Sequence, residues 1–172
     1  VHIELTDGPG WDLDIDTDTR RLDGARDAIL AQAGWDRPTP GIVVRADLPT
    51  ACGMGSSAAF GVALARAVRG ALDLPDDPAA ERALADASER VFHGNPSGVD
   101  VATVVAGRPT RFRRGESPSV VPVGGALDLW VVDTGVRSQT VEVVSDVAAR
   151  GRAAPATLTA ACEAVEGAVQ RG

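Results

Sequence analysis

Lysine and tyrosine are both absent from this 172-residue sequence, and all seventeen basic side chains are arginines. The missing lysine removes the Walker phosphate loop, which needs a GK[ST] ending, and any chemistry that needs a lysine must borrow one. Aromatics are scarce, at three Trp and three Phe, and twenty-four acids leave a net charge of -7. Without a basic stripe or interleaved aromatics, this charge disfavours a nonspecific grip on nucleic acid or anionic lipid. The two cysteines, Cys52 and Cys162, lie far apart with only His2 and His93 as other soft ligands, so neither a zinc site nor a disulfide framework is expected. No apolar run approaches the roughly 18 residues of a membrane span, and nothing at the N-terminus reads as a signal peptide. A cytoplasmic protein acting on a small soluble ligand is the expectation.

What is present is a globular balance, 44% hydrophobic and 24% charged, with clear changes of period. "VHIEL" and "WDLDID" alternate as strands; Leu22, Ala25, Ile29 and Ala33 then recur at helical spacing behind Asp18 and Thr19, and Gly34 stops the run. "GIVVRADLP" is the next strand. A helix from Ser56 to about Leu72 puts Phe60, Leu64, Val68 and Ala71 on one face. A second helix has Asp77 as N-cap and Pro78 at its first position, with Leu84, Ala87 and Val91 inward, and ends at Gly94. "VDVATVVAG" is apolar but ambiguous in type, and "TRFRR" with "SVVPV" reads as a strand pair. After Gly124 and Gly125 the pattern restarts with a buried strand, "LDLWVVDTG". A helix near Thr140 follows, then a last helix with Leu158, Ala161, Val165 and Ala168 at helical spacing. The domain boundary is expected there, giving 1–124 and 125–172.

The stretch "PTACGMGSSAAF" sets a glycine-rich loop against a helix start. Four unpaired N–H groups and a partial positive charge make such a junction an anion cradle, although a Ser-capped helix after a turn explains the same letters. The loop also matches GxGxxA, but the acids that follow, Asp73, Asp76 and Asp77, fall between two helices rather than after a second strand. A serine hydrolase fails on GxSxG, because Ala59 stands where the last glycine belongs. A kinase of another design needs a magnesium ligand, an orienting acid and backbone donors, and Glu89 and Asp100 are the acids at hand. Read alone, Glu89 is a solvated helix residue. Asp100, between Val99 and Val101, reads as a carboxylate in an apolar stretch that needs a partner.

"PTACGMGSSAAF", "ERVFHGNPSGVD" and "VVDTGVRSQT" together resemble the GHMP family of small-molecule kinases, and within it the mevalonate kinase branch. The resemblance implies an α+β two-domain fold, of which residues 1–124 are the nucleotide-binding and catalytic domain without its first strands and 125–172 the beginning of the C-terminal domain. It implies ATP and Mg²⁺ as cofactors and a small hydroxy acid such as mevalonate as substrate. The backbone of Gly53, Met54, Gly55, Ser56 and Ser57 would wrap the ATP phosphates, Ser57 and Glu89 would hold the metal, and Asp100 would face the acceptor hydroxyl. His93, Gly94, Ser97 and Thr140 would border the substrate.

In the family, a lysine upstream of these motifs pairs with the catalytic aspartate, and a late glycine-rich motif helps close the site. Neither lies in this sequence, and Val101 stands where mevalonate kinases commonly have Asn. The expectation is a chain that binds nucleotide weakly and shows no mevalonate-dependent ADP release by itself. Alternatives are another GHMP substrate, phosphomevalonate or a sugar, and a non-catalytic fragment. A homodimer, or a partner supplying missing segments, is left open.

Overall fold

Strand β3 (Gly41–Arg45) organises the first half of the chain. Its GIVVR sequence buries Ile42 and Val44, and β-branched residues suit a strand enclosed by its neighbours. Strand β1 (His2–Thr6) pairs with it antiparallel, His2 opposite Arg45 and Thr6 opposite Gly41. On the other side, β2 (Gly10–Leu13) runs parallel to β3, Gly10 opposite Gly41 and Leu13 opposite Val44. The sheet order is β1-β3-β2, and α1 (Thr19–Ala33) makes the crossover that a parallel neighbour requires. The computed structural model describes residues 1–14, 19–48, 53–126, 128, 130–132 and 140–171. They fall into two compact units, Val1–Val136 and Arg137–Gly172.

Helices α2 (Ser56–Ala71) and α3 (Pro78–His93) complete the core of the first unit. Phe60, Leu64 and Val68 of α2 meet Leu22, Ile29, Ile42 and Val44 in one buried cluster, while Ala58 and Val62 meet Ala85 and Val101 in another. The two helices approach closely at Gly61, where a Cβ would stand 3.3 Å from Ser88. Helix α3 starts as its sequence requires: Asp77 accepts hydrogen bonds from the Ala79 and Ala80 amides at 2.9 and 3.1 Å, with proline at the first position. The ambiguous apolar segment is helix α4 (Val99–Ala106), stopped by Gly107 in the left-handed region. The short strands β4 (Thr110–Arg111) and β5 (Ser119–Val120) pair antiparallel as expected.

Two expectations of burial fail in this unit. Val91 is 41% exposed because it lies over Gly24 of α1, 3.0 Å from where a Cβ would be, and glycine offers no side chain to cover it. In the segment expected to be a buried strand, Trp130, Val131 and Val132 are 94%, 69% and 82% exposed. They are not in a strand, and a strand that neither pairs nor packs gains nothing to offset its ordering. Leu127, Leu129 and residues 133–139 lie outside the described residues.

The second unit is a helical pair, α5 (Thr140–Ala153) and α6 (Pro155–Arg171), joined through Ala154. Leu158 of α6 rests on Gly151 of α5, where no Cβ would fit. The face carrying Leu158 and Val165 is otherwise exposed, and α6 buries no residue. Among the described residues no helix is long and apolar enough to cross a membrane.

Candidate functional site

The loop after β3 delivers the chain to the start of α2 through Gly55, which adopts φ 72°, ψ 27° and serves as N-cap without a side-chain hydrogen bond. Left-handed backbone there suits glycine, and a Cβ on Gly55 would meet nothing within 4 Å. The Ser-capped alternative is therefore not what forms: Gly55 is the N-cap, and Ser56 and Ser57 lie inside the first turn of the helix, whose amides point out of its N-terminus. Gly53 is also left-handed, φ 73°, with open space beside it. Met54 is 44% exposed.

Ser57, in the first turn of α2, faces the last turn of α3. Its Oγ lies 3.1 Å from His93 Nε2, and that nitrogen lies 3.6 Å from Glu89 Oε2. Glu89 is only 2% exposed, which overturns its reading as a solvated residue. Helix α3 packs against α1, α2 and α4, so its buried arc is wide enough to take in Ala85, Ser88 and Glu89 together. Burial pushes the Glu89 carboxyl above its ordinary range; a hydrogen bond from Ser57 and the nearby His93 pull it back, and the charges of Asp100 and Asp86 push it up again. Among the described residues, Glu89 Oε1 is buried without a hydrogen-bond partner. A buried carboxylate oxygen with nothing to satisfy it is costly, and a cation would satisfy it.

The end of α3 is pinned by rings. Trp11 on β2 lies 6.3 Å from Phe60 on α2, Phe60 meets Phe92 edge-on at 6.1 Å, and Phe92 lies 6.3 Å from the His93 ring. Past His93, Gly94 closes the helix by donating to the Arg90 carbonyl. The turn that follows is held from the β4 side: Arg114 Nη2 donates to the Pro96 carbonyl at 2.8 Å, and Arg82 stacks 5.7 Å from the Phe112 ring beside Gly98. Gly98 then caps α4 in the left-handed region, φ 85°, and Ser97 Oγ accepts from the Val99 amide at 3.3 Å.

Asp100 stands in the first turn of α4 and is exposed. The expectation of a carboxylate sunk among apolar neighbours fails because the segment is a helix: Val101 and Ala102 face the core, and Asp100 points away from it. Its charge nonetheless reaches Glu89, so the starts of α2 and α4 and the end of α3 share one neighbourhood. The side chain of Thr140 lies outside the described residues.

A serine hydroxyl and a buried carboxylate fit a small hard cation. Mg²⁺ takes one or two carboxylates and fills its shell with phosphate oxygens and water, so the absence of any cluster of three His, Cys, Asp or Glu among the described residues is no obstacle. A cavity of about 390 Å³ lies at the opposite end of α2. Its cations are already engaged, Arg66 with Glu81 at 2.9 Å and Arg69 with the Pro75 carbonyl.

Comparison with known proteins identifies the family. Residues 21–108, just over half of the chain, match the model of the GHMP kinases N terminal domain. The mevalonate kinase of Aeropyrum pernix is 37% identical over 119 residues, covering 69% of this chain and 37% of that protein. The mevalonate kinase of Bos taurus is 37% identical over 138 residues, covering 70% and 34%. The chain thus spans about a third of the length of these curated relatives. In fold it is similar to L. major mevalonate kinase, solved in complex with R-mevalonate, with a TM-score of 0.69 at 24% identity over 91% of this chain and 53% of that one. By the match over residues 21–108, this chain belongs to the GHMP kinase family.

Proposed function

We propose that this chain is the nucleotide-binding and catalytic part of an ATP-dependent kinase that phosphorylates a small hydroxy acid, mevalonate, to 5-phosphomevalonate. Residues 1–124 form the nucleotide-binding domain and 125–172 open a second one. The observation that carries the reading is the buried Glu89 carboxylate, one oxygen of which has no hydrogen-bond partner among the described residues, beside Ser57 in the first turn of a helix capped by a left-handed glycine. The named relatives support mevalonate as the acceptor.

In this reading the amides of Gly53, Met54, Gly55, Ser56 and Ser57 bind the phosphates, where the α2 dipole favours negative charge. Ser57 and Glu89 hold Mg²⁺, which when bound neutralises charge on the transferring phosphoryl group. Asp100 aligns the acceptor hydroxyl and takes its proton, a task suited to its open position at the start of α4. Gly94 and Ser97 shape the turn that carries Asp100.

The test is mevalonate-dependent ADP release by the polypeptide as the cell makes it, against phosphomevalonate and a hexose as competing acceptors. Asp100→Asn should lower kcat by at least about a hundredfold, the scale of a lost acid or base, with no change in thermal stability because the side chain is exposed. Turnover within tenfold of the parent would remove Asp100 from the chemistry. A preference for another acceptor would reassign the substrate while leaving the kinase reading intact.

A further inference from the structure

The hydroxyl of Ser57 has one proton and two neighbours able to take it, Glu89 and His93. A hydroxyl that ligates a cation does so through an oxygen lone pair, so its proton must point elsewhere. Once Glu89 turns its oxygens to the same cation it is no longer a good acceptor for that proton. The remaining acceptor is the imidazole nitrogen 3.1 Å from Ser57 Oγ.

We propose that His93 is a positioning residue for the metal site: its Nε2 accepts the Ser57 hydroxyl proton and so aims the Ser57 lone pair and the Glu89 carboxylate at one cation. The inference rests on the reading of Ser57 and Glu89 as metal ligands given above. It requires the tautomer with the proton on Nδ1. The geometry supports the role, since His93 sits at the end of α3, one turn after Glu89, so a single helical turn fixes both groups. The contact of Phe92 with Phe60 and the Gly94 cap keep that turn in place. The His93 side chain is 26% exposed against 3% for Glu89, so the ring closes the outer side of a buried carboxylate. Partners that orient ligands in this way commonly carry about ten- to a hundredfold of metal affinity.

The experiment is calorimetric titration of the 172-residue chain with ADP at pH 8, with and without Mg²⁺, and reads the factor by which the metal strengthens binding. His93→Leu should cut that factor about tenfold or more while leaving metal-free ADP affinity within twofold. His93→Gln, whose amide oxygen can accept the same proton, should restore most of it. On a Ser57→Ala background His93→Leu should have no further effect, because the proton it serves is gone. A wild-type magnesium effect in His93→Leu overturns the inference alone, as does an equal loss of metal-free affinity. A parent chain whose ADP binding ignores Mg²⁺ overturns the metal-site reading and the inference with it. Should His93→Leu not fold, the Gln variant decides: its metal effect must match the parent's, and a loss of about tenfold without a change in metal-free affinity counts against acceptance by Nε2.

Discussion

Replacing Glu89 by glutamine should stabilise the free protein at neutral pH while removing its response to magnesium. The residue is 2% exposed, and its Oε1 has no hydrogen-bond partner among the described residues. An unsatisfied buried polar atom costs about 1–3 kcal/mol, more when charged; the hydrogen bond from Ser57 and the field of His93 return part of that. Removing the charge at constant shape should therefore add about 1–2 kcal/mol, at about 2–4 °C of Tm per kcal/mol for a chain of this size. The pH dependence follows from the raised folded-state carboxyl. As pH climbs past the ordinary value of 4.5, the unfolded chain sheds its proton before the native one does. The unfolded state then binds fewer protons, so native stability falls as pH rises, until the folded carboxyl has also ionised. Urea denaturation at pH 4 and pH 7.5 reads this directly. The advantage of Glu89→Gln should be near zero at pH 4 and full at pH 7.5, through the midpoint and not the slope. Adding Mg²⁺ to the ADP-bound protein should raise the Tm of the parent further and leave that of the ADP-bound variant unchanged. Equal stability at pH 7.5, or an advantage undiminished at pH 4, would show that Glu89 is not a strained carboxylate.

Gly55→Val places a β-branched residue at φ 72°, a conformation that costs such residues about 1–3 kcal/mol, and fills the open space beside the α2 amides. ATP affinity measured by calorimetry should fall beyond detection, and affinity within twofold of the parent would argue against the phosphate assignment. Asp77→Ala deletes the acceptor of two α3 amides and should cost about 1 kcal/mol in urea denaturation. A cost below about 0.3 kcal/mol would mean that proline and packing alone set the helix start.

Local chemistry was readable where a residue acts on its own neighbours. Asp77 and Pro78 announced α3, Gly34 and Gly94 marked helix ends, and the alternation of β1 and the apolar run of β3 placed the sheet. The candidate site was readable only as motifs in order. That Ser57 and His93 meet, thirty-six positions apart, depends on the crossing of α2 and α3 at Gly61, which no periodicity encodes. The burial of Glu89 escaped because a single apolar face was assumed for α3, a helix that has neighbours on three sides. Asp100 failed in the opposite sense: flanking valines imply burial in a strand or loop, but a helix rotates neighbours by about 100°, which sends the aspartate outward.

The rings of Trp11, Phe60 and Phe92 make a lever between the sheet and the end of α3. Sequence variants at Trp11 or Phe60 touch no ligand and would be sorted by inspection as ordinary core damage. Because Phe92 is braced by Phe60, shrinking either ring should free the turn that bears Glu89 and His93, and with the metal site proposed above the expected defect is weakened magnesium binding before the protein melts. A mutational survey scored by abundance alone would pass such variants as mild, whereas one scored by growth would group them with substitutions at Ser57.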